Sequence, residues 1–164
     1  MIPFSYKTNR QRGFTLIELV MVIVILGILS AVAYERWPTG MEEAAAVKEF
    51  RRAMRFAQHV AITQQYTTPQ AAWGITVAAN NRYSIQRADG SEIAAMDEYV
   101  NRCLNNDCST TIAAAGNAFV YFNGLGEPIT PATGLPLAAD TIFTITADGG
   151  GTNVTIRQRT GYVE

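Results

Sequence analysis

The sequence predicts an α+β chain, with a long N-terminal helix, apolar in its first half and amphipathic in its second, packed on antiparallel β-sheet. Three observations carry this. From Phe14 to Ala33 the chain is apolar except for Thr15, Glu18, Gly27 and Ser30. From Met41 to Gln65 there is neither Gly nor Pro, and apolar residues recur at helical spacing. Beyond Pro69 short alternating segments separated by Asn-Gly and Asp-Gly turns take over, which is the pattern of strands and hairpins.

The apolar run would make a helix about 30 Å long, which matches the hydrocarbon core of a bilayer. Lys7, Arg10 and Arg12 precede it with no acid among them, and Glu35, Arg36, Glu42 and Glu43 follow it. That asymmetry places the N-terminus in the cytoplasm and the bulk of the chain outside. The chain then divides into a leader over 1–13, a transmembrane and assembly helix over 14–37, and a periplasmic globular domain over 38–164 that includes an amphipathic helix over 41–66. Three readings compete for the run. One is a secretory signal, for which Ala31-Val32-Ala33 offers a cut site. Another is a plain single-span anchor. The third is a precursor cut ahead of the run, after Gly13. Glu18 argues for the third. A carboxylate deep in lipid costs on the order of 3 kcal/mol, less at shallower depth, and an amine freed by a cut at Gly13 would give it a partner.

The stretch Gly13-Phe14-Thr15-Leu16-Ile17-Glu18-Leu19 resembles the class III signal of type IV pilins and type II secretion pseudopilins. Val20 to Ala33, with Gly27-Ile28-Leu29-Ser30-Ala31, is similar to their helix. The resemblance implies cleavage between Gly13 and Phe14 by a membrane aspartyl prepilin peptidase and N-methylation of Phe14. It implies an assembly role for Glu18, paired with the Phe14 amine of a neighbouring subunit. The implied partners are other pilin or pseudopilin subunits, the prepilin peptidase, the inner membrane and an inner-membrane assembly platform. The helix dipole independently disfavours an ammonium at the N-terminus and favours a nearby carboxylate. Pairing of Glu18 within its own chain stays open beside pairing with a neighbour.

Between the helical halves stands Trp37-Pro38-Thr39-Gly40. Pro38 lacks an N–H and clashes with the preceding turn, so Pro38 and Gly40 form a helix break; a flexible joint and a rigid kink are both compatible with it. In the second half, Val47, Phe50, Met54, Ala57 and Ala61 form one apolar stripe, broadened by Phe56 and Val60. Glu42 and Glu43 occupy the first turn, where the dipole favours acids. Arg51, Arg52 and Arg55 are expected to point away from the stripe, as a solvated face or as a contact with neighbouring subunits or acidic partners. Thr67-Thr68-Pro69 stops the helix. Strands are expected at Trp73–Val77, Tyr83–Gln86, Ala118–Phe122, Thr141–Thr146 and Asn153–Arg157. Asp148-Gly149-Gly150-Gly151 forms the last turn, and Thr160–Val163 adds some further pairing. The segment from Asn123 to Asp140, rich in Gly, Pro and Ala, reads as a surface loop.

Composition excludes several functions. Removing Lys7, Arg10 and Arg12 with the leader lowers the formal charge from −1 to −4, a balance that argues against a nucleic-acid protein. About 130 residues follow the apolar run, enough for one modest core. Cys103 and Cys108 enclose Leu104-Asn105-Asn106-Asp107. Outside the cytoplasm disulfides persist, and a loop rich in Asn and Asp turns tightly, so a Cys103–Cys108 disulfide is expected. His59 is the sole histidine, too little for a zinc site, and the acids lack EF-hand spacing. No acid/base pair, triad or phosphate-binding loop is present. The expectation is a non-enzymatic chain with no cofactor and no metal.

The C-terminal domain carries a second, weaker resemblance. Glu49-Phe50-Arg51-Arg52-Ala53-Met54-Arg55-Phe56-Ala57-Gln58 resembles a helix of the GspH/FimT-like minor pilins. Val120-Tyr121-Phe122-Asn123 with Gly126, and Val154-Thr155-Ile156 through Gly161-Tyr162-Val163, are similar to their later segments. The cysteine pair and the Gly-Tyr-Val ending look most like a minor pilin of the mannose-sensitive haemagglutinin (MSHA) pilus. The function these resemblances imply is a structural minor pilin or pseudopilin, assembled into a type IV pilus or a type II secretion pseudopilus. The alternative is a minor pilin that binds DNA or another ligand in uptake or adhesion. The basic residue usual after the last Gly is replaced by Tyr162, and Arg157 and Arg159 make only a small cationic footprint.

Overall fold

The computed structural model describes residues 14–35, 40–64, 66–91, 97–106 and 108–164, with backbone alone at 32–35 and 97. The chain forms two compact units, Met1–Pro38 and Thr39–Glu164. The first contains helix α1, Leu16–Glu35. Its described side chains, 14–31, are all exposed.

The second unit opens with helix α2, Met41–Thr63. Gly40, at φ 93°, precedes it in a left-handed conformation and offers no side-chain cap. Pro38 lies outside the described residues. The helix ends at Thr63, three residues short of the expected bound at 66, where the Thr63 hydroxyl turns back to the carbonyls of His59 and Val60. Its buried face comprises Ala46, Val47, Phe50, Ala53, Met54, Ala57, Val60 and Ala61, which is the expected stripe widened by small residues. Arg52 and Arg55 are exposed as expected. Arg51 departs from the expectation: it is half-buried, and its Nε is enclosed without a partner among the described residues.

Among the described residues eight strands follow: β1 Trp73–Val77, β2 Arg82–Arg87, β3 Arg102–Cys103, β4 Thr111–Ala115, β5 Phe119–Phe122, β6 Pro128–Ile129, β7 Thr141–Ala147 and β8 Gly150–Ile156. They make an antiparallel five-stranded sheet in the order β3-β2-β1-β5-β6 and an antiparallel three-stranded sheet in the order β4-β7-β8. The fold is α+β, with α2 packed on both sheets. Phe50 joins them. Its ring meets Tyr83 of β2 edge-on at 5.9 Å and Phe143 of β7 at 5.3 Å. Around it Trp73, Ile75, Val120 and Phe122 come from one sheet, and Ile112, Ile145, Val154 and Ile156 from the other. Such edge-to-face pairs add about 0.5–1.5 kcal/mol each beyond the area they bury.

The structure corrects the loop expected from Asn123 to Asp140, which contains β6 and an isolated bridge from Ile129 to Pro136. β3 and β4 were not anticipated. The final hairpin turns on Asp148 and Gly149 alone, both with positive φ (51° and 79°), the requirement of a two-residue type I′ turn. Gly150 and Gly151 therefore belong to β8, opposite Ala147 and Thr146. The expected tail pairing is present as a bridge from Ile156 to Val163.

Gly74, the second residue of β1, is required for a different reason. Tyr121 of β5 folds across it to place its hydroxyl 3.0 Å from the Thr76 hydroxyl. A Cβ on Gly74 would collide with the Val120 carbonyl oxygen and lie 2.6 Å from the Tyr121 Cα. Backbone cannot yield as a flexible side chain does. Gly74→Ala is therefore expected to destabilise the domain by about 2–3 kcal/mol, at the upper end of overpacking costs. Urea unfolding of the two proteins reads the difference directly.

Candidate functional site

The sequence directs attention first to the start of α1. Gly13 lies outside the described residues; Phe14 and Thr15 are described and precede the helix. Thr15 is its N-cap. Its hydroxyl accepts the Glu18 N–H at 3.4 Å, and its carbonyl accepts the N–H groups of Glu18 and Leu19 at 3.1 and 3.2 Å. Thr15-Leu16-Ile17-Glu18 has the spacing of a capping box, a signal present in the sequence and passed over. Only one half of the box forms. Among the described residues the Glu18 carboxylate has no hydrogen-bonding or ionic partner, and its side chain is exposed. Four residues beyond Phe14 there is thus a carboxylate with its bonding capacity unused, at the positive end of a helix dipole.

The rest of α1 suits an apolar setting. Leu16, Ile17, Leu19, Val20, Ile23, Val24 and Leu26 cover all sides of the helix, and each is exposed. A helix apolar all round is stable where lipid or other helices surround it. Its one mid-helix hydroxyl is satisfied internally, since Ser30 donates to the Leu26 carbonyl at 2.7 Å. Among the described residues no helix is long and apolar enough to cross a membrane. The part of α1 with described side chains, 16–31, is about 24 Å long by helical rise, and the expected span over 14–37 continues into residues outside the described set.

The sequence family described as the prokaryotic N-terminal methylation motif matches residues 8–34. That match supports a type IV pilin-like protein. It covers this segment alone, and it suggests a structural, membrane-anchored subunit processed by a prepilin peptidase. No curated protein and no solved structure matches the chain.

In the second unit, the structure gathers sequence features that lay far apart. Cys103 and Cys108 are joined in a disulfide, with Cα atoms 5.0 Å apart. Asn105 and Asn106, both at positive φ (52° and 57°), turn the loop between them, and Asn105 ties it to α2. Its N–H donates to Glu49 Oε2 at 2.8 Å, and its side-chain amide donates to the Glu42 carbonyl at 2.8 Å. Glu49 also accepts from the Tyr83 hydroxyl at 3.2 Å and from Arg102 Nε at 3.4 Å. One carboxylate on α2 thus holds β2, β3 and the disulfide loop, a role the sequence did not reveal.

At the other end of α2, Gln58 donates to the Gly126 carbonyl at 2.8 Å and lies 3.5 Å from the Thr160 carbonyl. Gly161, at φ 64°, passes so close that a Cβ there would run into the Gly126 carbonyl oxygen. The glycines of the two later segments that resemble minor pilins, Gly126 and Gly161, therefore meet at the end of the helix segment that carries the third resemblance. Val163 is buried beside them and Tyr162 is exposed. Arg157 is no free cation. It binds Asp140 at 2.8 Å and Glu164 at 3.0 Å. The Gln158 N–H, and then Arg157, hold the Asp140 carboxyl below its usual range. Among the described residues no cluster of His, Cys, Asp and Glu could hold a metal ion.

Burial, and then the Glu49 charge, push the Tyr83 phenol well above its ordinary value. Because the folded state holds this proton more tightly, the stability it contributes is whole below the unfolded value near 10. It is lost as pH rises from there through the raised folded value. Tyr83→Phe is expected to be less stable at neutral pH, through loss of the bond to Glu49, yet to lose less stability than the wild type between about pH 10 and 11.5. Thermal unfolding as a function of pH checks both parts.

Proposed function

We propose that the chain is a structural minor pilin or pseudopilin, cut between Gly13 and Phe14 and N-methylated on Phe14. After processing, α1 lies in the inner membrane and then in a filament, with the second unit on the periplasmic side. The observation that carries this reading is the pairing of an all-round apolar, exposed helix with a Glu18 that has no partner among the described residues, close behind the expected cut. A new amine at Phe14 supplies the missing cation, and in a low-dielectric setting the attraction is only weakly screened. Partnered by a neighbour's amine, Glu18 would also set the axial register between subunits. The C-terminal resemblances favour an MSHA-like type IV pilus over a type II secretion pseudopilus. Capture of DNA is the weaker reading, because Arg157 is neutralised by Asp140 and Glu164.

Intact-mass measurement of membrane-extracted protein is expected to give a chain that begins at Phe14 with a methylated amine. A chain that begins at Tyr34 would establish a conventional signal peptide and remove the reading.

Glu18→Ala and Glu18→Gln are both expected to insert and to be cleaved, since removing the charge makes insertion cheaper and leaves Gly13 intact. Both are expected to accumulate in the membrane while the filament fraction recovered by shearing falls several-fold. Normal incorporation of both would reduce Glu18 to a local helix-terminus residue.

A further inference from the structure

Each of the two sheets has two edges, and the chain guards three of them. β3 is only two residues long and runs straight into the disulfide loop. β6 begins with Pro128 and is folded over by the following segment, through the Ile129–Pro136 bridge and a Leu137 N–H to Pro128 carbonyl bond of 3.0 Å. The second half of β8 is covered by the tail. Thr155 and Glu164 exchange two backbone bonds of 3.3 and 3.0 Å, and Arg157 N–H reaches the Tyr162 carbonyl at 3.0 Å. Its first half is faced by the Glu43 carboxylate, which accepts from the Thr152 hydroxyl and lies against Gly150. Short strands, proline, covering segments and charge are the devices that keep edges from pairing.

Among the described residues β4 has none of them. It offers five residues, and from Ser109 to Asn117 the chain contains neither proline nor a charged side chain. Its only sheet partner among the described residues is β7, from Thr111 opposite Thr146 to Ala115 opposite Ile142. Thr111, Ala113 and Ala115 are exposed and small, so a strand can approach closely. Ile112 is buried and Ala114 packs on the main core, so the inner row of β4 is apolar up to the rim of the sheet.

We propose that β4 is a pairing edge and that its occupant is β4 of a second copy, antiparallel and centred on Ala113. This strand suits itself. With Ala113 opposite Ala113 of the second copy, Thr111 faces Ala115 and Ile112 faces Ala114, so the apolar row runs on across the joint. No like charges meet, which is the usual obstacle to pairing two identical strands. A two-fold axis satisfies both chains at once. Five residues make a small interface, so the pair forms where copies are concentrated, as two anchored chains in one membrane are.

The test uses the full chain in membranes. Ala113→Cys adds a thiol to a protein whose cysteines are both in the disulfide. A short thiol-to-thiol crosslinker is expected to give several times more dimer with Ala113→Cys than with Ala78→Cys, an exposed position between β1 and β2. Co-expressed Thr111→Cys and Ala115→Cys chains are expected to crosslink to each other more than either does to itself. Equal yields at 113 and 78, or no dimer at 113, would overturn the proposal. Deuterium exchange on purified protein gives a second reading. Protection of amides 111–115 is expected to rise with protein concentration. Protection independent of concentration would show that the chain's own residues cover the edge, and would also overturn the proposal.

Discussion

The second unit depends on one side chain's ability to serve two sheets. Phe50 lies fully buried on α2 with Tyr83 on one flank and Phe143 on the other. Neither sheet could close a core alone. Among the described residues the three-stranded sheet offers Ile112, Phe143, Ile145, Val154 and Ile156 to the common core, with Ala114 packed against it, and each sheet needs the helix to cover its inner face. The alanines at 46, 53, 57 and 61, all fully buried, let the helix backbone approach both. Large residues at these positions would hold the sheets apart and leave Phe50 without contact on one flank.

Polar contacts then fix what the apolar stripe leaves undetermined. Hydrophobic packing is non-directional, so a stripe of Val, Phe, Met and Ala tolerates small slides of a helix along a sheet. Glu43, Glu49 and Gln58 do not. They take a hydroxyl in β8, a tyrosine with a loop amide, and a carbonyl from the segment after β5. Each is a long-range bond between α2 and chain that follows it by 34 residues or more. Each bond of this kind contributes only about 1 kcal/mol net, but leaving a buried partner unmet costs more than that. The three contacts therefore select one alignment of α2 more than they add to total stability.

Much of this was legible in the residues. The apolar stripe of α2, the strands at Trp73–Val77 and Thr141–Ala147, and the disulfide loop follow from periodicity, β-branched residues and Asn-rich turns, all local signals. β4 escaped because three of its five residues are alanines, which give no strand signal; its conformation is imposed by pairing with β7. β6 escaped because Pro128 reads as a loop, although an edge strand accepts proline. Arg51 points away from the stripe by its angle on the helix, yet it is half-buried, because the two sheets enclose more of α2 than the stripe alone implies. The Glu49 and Gln58 contacts join residues far apart in sequence, where spacing gives no signal. At the N-terminus the apolar run and Glu18 are plain in the sequence, whereas a threonine three residues before a glutamate is a common spacing and by itself a weak sign of a cap. Gly13 and Pro38 fall outside the described residues.

The uncapped start of α2 has a mechanical consequence. A tensile load carried along the chain from the N-terminal side reaches the helix at Gly40, which has no side chain to cap the first helical N–H groups. Peeling begins there cheaply, because the residues at the end have little buried surface to give up; Met41 and Glu42 are exposed. It meets the bond from Glu43 to Thr152 within the first turn, and the buried side chains from Ala46 onward in the next. Force then reaches β8 through that carboxylate before it reaches the core. The helix can yield by less than one turn, about 5 Å, and absorb a jerk while the sheets keep their register.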